Sequence, residues 1–206
     1  MTVEEMRALV DLPPEASDAA VVMAFAALID QGSAWPVDAV EPVTVEMVRL
    51  QCRLDHEFED DLIEDKIVAA REWVEDHTGQ ILVKRPLAER FTRWGDRLEI
   101  FKRPVRSIDA VAYDGVDGAT LHAAAAASSG GYPIRIYPGP NAWPRLRVGG
   151  GVTVIFTAGF AADKVPARYK EAVLVLVAGM MGGREGGYDQ SVAAAKALCA
   201  RGPSRV

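Results

Sequence analysis

Residues 44–79 carry the clearest pattern of buried and exposed positions in the chain. Their apolar residues recur three and four positions apart, which is the spacing of one face of a helix. Thr44 fits the N-cap of a first, short helix, and Gly79 fits the left-handed C-terminal cap of a second, longer helix. The predicted buried positions are Val45, Val48 and Cys52 in the first helix, and Phe58, Leu62, Ile63, Ile67, Ala70, Val74 and His77 in the second. The segment therefore predicts two helices separated by a break near Asp55.

After residue 79 the pattern changes to short strands. Runs rich in β-branched and aromatic residues are separated by Gly, Pro and Asp. The predicted strands are residues 81–83, 91–94, 98–101, 108–113, 134–137 and 152–157. Residues 123–131 predict a loop of small residues, with a helical turn as the alternative. Pro166 fits the first position of a helix over residues 167–181, and a short helix follows over residues 191–200.

The N-terminal segment repeats part of the helical pattern. Residues 2–18 match residues 44–60 at seven positions with a constant offset, and Thr2 and Glu5 are predicted to form a capping box. Residues 21–29 predict an apolar helix. The similarity is either a degenerate copy of the helical pair or a chance likeness between two helix starts, and one pair of copies leaves both interpretations open.

The composition of the chain is typical of a folded globular protein. Hydrophobic residues make up 50% of the chain and charged residues 25%. The longest apolar run, residues 172–181, is about half of the roughly 20 residues that a membrane span requires, so no membrane partner is expected. The N-terminus lacks a basic region followed by an apolar core, so secretion is not expected. Cys52 and Cys199 give no disulfide framework and favour small apolar fillers in a reducing compartment.

Charge is distributed unevenly along the chain. Residues 1–80 contain 19 acids and 5 bases, a net charge of -14, whereas residues 81–206 contain 10 acids and 18 bases, a net charge of +8. Such a division favours head-to-tail packing of identical copies, acidic part against basic part, and such contacts can close into rings. Two solvated faces of opposite sign within one monomer explain it equally well.

Motifs for metal or cofactor chemistry are weak. Asp55, Glu57 and Glu59 have the spacing that opens a calcium loop, but Asp60 occupies the position of the turn glycine and Lys66 that of the closing glutamate. The three histidines show no zinc-ligand spacing, and no phosphate-binding loop or nucleophile elbow is present. We therefore expect no catalytic residues, no metal and no cofactor.

The sequence of the second helix argues against two further functions, a nuclease and a DNA-binding regulator. The E-x-K spacing at residues 64–66, found in some nucleases, lies here on a helix without a preceding strand. A helix-turn-helix DNA reader would need basic residues to contact phosphates. The region instead holds the candidate interface or channel acids Asp55, Glu57, Glu59, Asp60, Asp61, Glu64 and Asp65. These acids face solvent, meet a basic partner surface or line an acidic channel, and the sequence does not choose among the three.

Two blocks of sequence resemble the head–tail connector (adaptor) proteins of long-tailed double-stranded DNA phages and gene transfer agents. The first block contains Val45-Glu46, Arg53-Leu54-Asp55, Asp60-Asp61-Leu62-Ile63, Ile67 to Glu75 and Thr78-Gly79. The second contains Val152 to Phe160, Val165-Pro166 and residues 172–177, and residues 103–108 lie between the blocks. The resemblance covers about residues 44–181 and is carried by order and spacing.

This resemblance implies an α+β fold, a helical bundle with an inserted antiparallel β region. The implied connector domain covers residues 44–182, with helices at 44–78 and 166–181 and a β-rich insertion at 81–160. Residues 1–43 would be a helical extension with a linker, which is atypical of the family. Residues 183–206 would be a C-terminal docking tail.

The resemblance also implies a structural function without enzymatic activity. Such proteins form a ring, usually of twelve copies, between the portal protein and the next neck, stopper or tail protein. The ring extends the channel through which double-stranded DNA passes without sequence-specific binding. The expected location is the virion neck, after assembly in the host cytoplasm. A different neck or tail-completion protein is the nearest alternative; a small metal-dependent nuclease or hydrolase and a DNA-binding regulator are more distant ones.

In similar proteins the C-terminal segment contacts the portal. By position, the candidate docking residues here are Arg184, Tyr188, Lys196, Leu198, Arg201 and Arg205. The glycines at 182–183 and 186–187 would act as hinges, so the tail is expected to be an arm that becomes ordered on docking.

Overall fold

The computed structural model describes residues 1–31, 40–54, 59–117, 120–123, 125–127, 131–139, 142–182 and 187–200. The helices in these ranges are α1 (Val3–Arg7), α2 (Asp18–Asp30), α3 (Val45–Cys52), α4 (Asp60–Thr78), α5 (Ala167–Met181) and α6 (Gly187–Cys199). The strands are β1 (Arg85–Phe91), β2 (Leu98–Ile100), β3 (Val105–Asp114), β4 (Thr120–His122), β5 (Ala125–Ala127), β6 (Ile134–Pro138) and β7 (Val152–Ala158). A short 3₁₀ turn, Ala162–Lys164, precedes α5. The predicted α+β class is confirmed.

The chain forms two compact units. The β unit comprises residues 1–39 and 84–159, and the helical unit comprises residues 40–83 and 160–206. These units group the chain by contacts and differ from the sequence-based segments, because the N-terminal helices belong with the strands and α6 belongs with the other helices. The division into extension, connector domain and tail at residues 43 and 182 stays a prediction.

The helical unit is built on the apolar face of α4. Thr44 caps α3 by accepting a hydrogen bond from the Met47 backbone N–H at 3.3 Å, and Gly79 ends α4 with a φ of 66°. Both caps were predicted, and both are confirmed. The core contains Val48 of α3, Ile63, Ile67, Ala70 and Val74 of α4, Ala172, Val173, Leu176 and Val177 of α5, and Ala195 and Cys199 of α6.

Two predicted core positions of α4 are wrong. Leu62 is 45% exposed, because the buried stripe runs through the adjacent Ile63 and a one-residue step turns a side chain by about 100° around the helix. His77 is exposed and stacks on Trp73, with ring centroids 5.0 Å apart. Phe58 and the break at Asp55 lie outside the described residues.

The β unit contains two antiparallel sheets. One has the strand order β1-β7-β3-β4 and the other has the order β2-β6-β5. The strands predicted at 98–101, 108–113, 134–137 and 152–157 are confirmed with small changes in their bounds.

Three sequence predictions fail in the β unit and at its border. Residues 81–83 are buried but not a strand, and the strand predicted at 91–94 lies earlier, at 85–91. Pro86 argued against a strand at this position, because proline within a sheet is largely confined to edge strands. The structure places β1 at the edge of its sheet, where proline is tolerated. The small-residue loop at 123–131 contains strand β5.

The N-terminal helices cover one face of the larger sheet. Met6 of α1 and Val21, Val22, Phe25 and Ala26 of α2 pack on Ala110, Ala112 and Ile155. The capping box of Thr2 and Glu5 is confirmed. Alanines at 110 and 112 leave room for the large ring of Phe25, since side chains two apart on a strand share one face. Helices α1 and α2 therefore contribute buried side chains to the core of the β unit.

Glu89 of β1 gives the β unit an expected dependence of stability on pH. Burial raises the pKa of this carboxyl, and nearby Lys102 opposes the shift. Since the folded state then binds the proton more tightly than the unfolded state, ionised Glu89 destabilises the fold at neutral pH, and this penalty disappears as the pH falls through the folded pKa. Glu89→Gln should therefore raise the free energy of unfolding at pH 7, by less than about 1 kcal/mol, and have almost no effect at pH 4.

Urea denaturation of both proteins at pH 4 and pH 7 measures this difference. Glu99→Gln is the matched control, because hydrogen bonds from Arg97 and Arg135 lower the pKa of Glu99 and give the opposite pH dependence. Equal stabilisation by Glu89→Gln at both pH values would contradict the assignment.

Candidate functional site

The described residues include two exposed surfaces that are candidates for interaction. Within the described ranges, no group of three or more His, Cys, Asp and Glu side chains is placed to hold a metal ion. The helices described by the structure include none that is both long and apolar enough to cross a membrane. Burial raises the pKa of the thiols of Cys52 and Cys199, which favours their protonated form.

One surface is the exposed side of α4. Its acids Asp61, Glu64, Asp65, Glu72 and Asp76 are all exposed, and we call them the acidic face. They fall opposite the stripe that is buried in the helical core, so the 3.6-residue period alone places them together. Helix α4 contains two bases, Lys66 and Arg71, against these five acids. Arg71 is buried and donates to Glu72 at 3.4 Å, so its own helix neutralises only part of the acidic face.

The seven acids predicted from the sequence are not equivalent. Asp60 is engaged by Arg49 of α3, whose Nε donates to Oδ1 at 2.9 Å and whose Nη2 donates to Oδ2. Glu59 is half-buried beside the start of α4. Asp61, Glu64 and Asp65 are exposed, and Asp55 and Glu57 lie outside the described residues. Sequence reasoning missed Glu72 and Asp76, which continue the same side of the helix.

Apolar side chains are also exposed on α4 and on α3. Leu62 and Val68 of α4 are 45% and 38% exposed, and Leu50 of α3 is 75% exposed. Single exposed apolar residues are common, but several on neighbouring helices among charged groups are typical of a surface that contacts another protein.

A second surface lies on the β unit, around strands β2 and β6. It combines Arg93, Arg97, Phe101, Tyr132 and Tyr137, which are all exposed, and we call it the arginine–aromatic face. A cleft of about 420 Å³ contains Arg93, Arg97 and Phe101 in its lining. Alternation along β2 and β6 accounts for part of this face. Leu98, Ile100 and Ile136 are buried on one side of these strands, and Tyr137 is exposed on the other.

Contacts within the arginine–aromatic face hold its side chains in place. Glu99 accepts hydrogen bonds from Nε of Arg97 at 2.8 Å and from Nε of Arg135 at 3.2 Å. Phe101 meets Tyr132 edge to face at 6.1 Å, and the guanidinium of Arg103 lies 4.3 Å from the centre of the Tyr132 ring. The sequence reasoning counted these bases only in a net charge, although the alternation of apolar and polar residues in 98–101 and 134–137 could have indicated a common face.

The predicted docking tail is partly a packed helix. Tyr188 and Lys196 of α6 are exposed, whereas Leu198 is half-buried against the helical core. Ala195 and Cys199 lie within that core, so α6 is a member of the helical unit. Arg184, Arg201 and Arg205 lie outside the described residues.

Comparison with known proteins identifies relatives of this architecture. Residues 42–112 match the family model of phage gp6-like head–tail connector proteins. No curated protein matches the chain.

Solved structures of gene transfer agents (GTAs) match most of the chain. A chain from a structure described as the virion of a native GTA particle is 26% identical, with a TM-score of 0.62 over 79% of this chain and 92% of that one. A chain from the neck of an empty GTA particle, computed with C6 symmetry, is 27% identical, with a TM-score of 0.59 over 74% of this chain and 80% of that one. A chain from the neck of a native GTA particle, computed with C12 symmetry, is 25% identical, with a TM-score of 0.54 over 71% and 84%.

The resemblance to head–tail connector proteins is thereby confirmed, by sequence over residues 42–112 and by fold over about three quarters of the chain. The similarity is to structural components of particles, and the protein is structural rather than enzymatic.

Proposed function

We propose that this chain, which is similar to head–tail connector proteins, is a ring-forming subunit of the neck of a phage or gene transfer agent particle. The observation that carries the proposal is the agreement of a connector family match with fold matches to particle necks. The C6 and C12 symmetries of those necks support a homo-oligomeric ring, and twelve copies is the number that the C12 neck favours. Cyclic closure requires each copy to use two different surfaces, and the acidic face and the arginine–aromatic face supply two.

The proposed ring lies between the portal protein and the next neck, stopper or tail protein. It is assembled in the host cytoplasm and extends the channel for double-stranded DNA during packaging and ejection. The chain has a net charge of -6, so it is suited to let DNA pass without binding it, because exposed carboxylates repel phosphates.

Helix α6 and the residues around it are the proposed docking surface for the portal. Tyr188 and Lys196 are exposed on α6, and Arg184, Arg201 and Arg205 flank it in the sequence. Since α6 contributes to the helical core, truncation after Gly182 would damage the fold as well as the docking surface. A test of docking must therefore use point substitutions such as Lys196→Glu.

Deleting the gene from its source genome tests the proposed function. We expect electron microscopy to show heads and tails that are separate, with filled or leaking heads, because the junction cannot form without its connector. Expression of the wild-type chain from a plasmid should restore joined particles.

Particles that are normally joined in the deletion strain would overturn the connector function. Heads that retain a bound neck but lack tails would instead place the chain further from the portal, as a tail-completion protein. When Lys196→Glu is expressed in the deletion strain, we expect purified heads that contain the portal but have lost this chain. The circular dichroism spectrum of the purified variant should match that of the wild-type chain.

A further inference from the structure

We propose that the acidic face of α4 in one copy docks onto the arginine–aromatic face of the next copy around the ring. This inference rests on the proposed function, because it names the two surfaces that a cyclic connector would join. It assigns the candidate acids to a contact between subunits rather than to the lining of a channel.

The acidic face has the composition of a protein interface. Acids alone would suit a DNA channel, since they repel phosphates. However, Leu62 and Val68 are exposed among these acids on the same helix, and Leu50 is exposed on the adjoining α3. Apolar side chains gain free energy when a partner protein covers them and gain nothing from facing a hydrated DNA channel.

The arginine–aromatic face has complementary charge and shape. Arginine and tyrosine are among the residues that contribute most to binding energy at protein interfaces. Arg93 and Arg97 line a cleft together with Phe101, which is 52% exposed and adds apolar surface to the lining. A helix that presents Asp61, Asp65 and Val68 on one side can place its carboxylates on these guanidinium groups and its valine on the aromatic rings.

Nucleic acid is the less suitable occupant of this cleft. Glu99 lies among the arginines and accepts hydrogen bonds from two of them, so a phosphate there would meet a carboxylate. The side of α4 carries its carboxylates at separate positions, with Val68 among them, and can be placed to avoid one carboxylate, whereas the regular charge of DNA cannot. The second copy is also present at high local concentration within a ring.

A charge-swap experiment tests the contact. The first variant is Asp61→Lys/Asp65→Lys, and the second is Arg93→Glu/Arg97→Glu. All four side chains are exposed, so each variant should fold. The third variant combines the four substitutions in one chain, which reverses both faces and restores their complementarity.

Each variant is expressed in the deletion strain, and joined particles are counted by electron microscopy. Each double variant should lower the number of joined particles at least roughly tenfold relative to the wild-type chain, because like charges then face each other at every subunit contact. The quadruple variant should restore most of that loss. Expressing the two double variants together should also restore joining, since alternating copies can pair.

Matched controls separate the contact from a general effect of charge. Asp11→Lys/Glu15→Lys makes the same change in net charge at exposed acids that lie off α4, and Arg145→Glu/Arg147→Glu does so at exposed arginines that do not line the cleft. Both controls should join particles like the wild-type chain. Circular dichroism melts of all purified variants check that they fold, and the neutral pairs Asp61→Asn/Asp65→Asn and Arg93→Gln/Arg97→Gln replace any reversed pair that does not.

The outcomes distinguish this contact from the function on which it rests. Double variants that join particles normally would overturn the contact while leaving the connector function intact. Loss of joining by both doubles without recovery in the quadruple variant would also overturn it and show that the faces meet other partners, including DNA at the arginines. Joined particles in the deletion strain itself would instead overturn the proposed function.

Discussion

Replacing Arg71 with methionine is expected to destabilise the helical unit by about 3–5 kcal/mol, because it leaves buried carboxylate charge without its partner. Arg71 is only 2% exposed and is one of the largest fully buried side chains of the described residues. Its Nε lies 3.0 and 3.1 Å from the two carboxylate oxygens of Glu41, and its Nη1 donates to Glu75 at 3.0 Å. Glu75 in turn accepts a hydrogen bond from the Leu82 backbone N–H at 2.7 Å.

This network explains the size of the expected effect. It ties α4 both to the segment before α3, through Glu41, and to the buried segment after α4, through Leu82. Methionine has a similar length and can fill much of the volume, so the loss reflects charge and hydrogen bonding more than a cavity. Most of it should come from Glu75, which is buried, rather than from Glu41, which is partly exposed.

A rescue variant and a control follow from the same geometry. Adding Glu75→Gln to Arg71→Met removes the buried charge but keeps an oxygen for the Leu82 N–H, so it should recover at least about 1 kcal/mol. Glu72→Gln is the matched control, since Glu72 is exposed and lies 3.4 Å from Arg71. We expect it to change stability by less than about 0.5 kcal/mol.

Hydrogen exchange of the amides of α4 and α5, combined with urea denaturation, measures these effects in the helical unit itself. If Arg71→Met lowers the free energy of unfolding by less than about 1 kcal/mol, the helical unit does not depend on the network. Equal stability of Arg71→Met with and without Glu75→Gln would show that the uncompensated carboxylate is not the cause.

The helical core could be predicted largely from local sequence. The caps at Thr44 and Gly79 and the stripe through Ile63, Ile67 and Val74 depend on neighbours within a few residues, and the structure confirms them. Leu62 was misassigned because both it and Ile63 are apolar, and spacing alone does not decide which of two adjacent residues faces the core.

Contacts between segments that are distant in the chain could not be predicted from the sequence. The sequence counted Arg71 as a base on an acidic helix, and only the fold shows that it is buried against Glu41. Asp60 likewise ranked as a candidate contact acid, although Arg49 of the preceding helix holds it. Charge pairing across elements depends on packing geometry, which periodicity does not contain.

The candidate surfaces were predictable to different degrees. The exposed side of α4 follows from its helical period once the buried stripe is known, so Asp61, Glu64 and Asp65 could be named in advance. The arginine–aromatic face requires the register of β2 against β6, which brings Glu99 opposite Arg135. Without that register, the sequence gives only the net positive charge of residues 81–206.

Substituting Gly179 with alanine is expected to destabilise the packing of α6 on α5 by about 1–3 kcal/mol. A Cβ added at Gly179 would lie within 2.5 Å of the Cβ of Ser191 and would also clash with its hydroxyl. Alanine is favoured over glycine in a helix by about 1 kcal/mol, so without this clash the substitution would stabilise α5. The sign of the measured change therefore reports whether α6 is packed closely on α5.

The double-mutant cycle with Ser191→Gly completes the test. Ser191→Gly removes both atoms with which the new methyl group would clash, so Gly179→Ala should be destabilising in the wild-type chain and neutral or stabilising in the Ser191→Gly background. The expected coupling is at least about 1 kcal/mol, measured by urea denaturation of all four proteins. If Gly179→Ala stabilises the wild-type chain, α6 is not held against α5 in solution, and the segment after Gly182 is the detached arm that the sequence predicted. Destabilisation with rescue would instead show that Tyr188 and Lys196, which we propose dock the portal, are presented on a helix that is already in place.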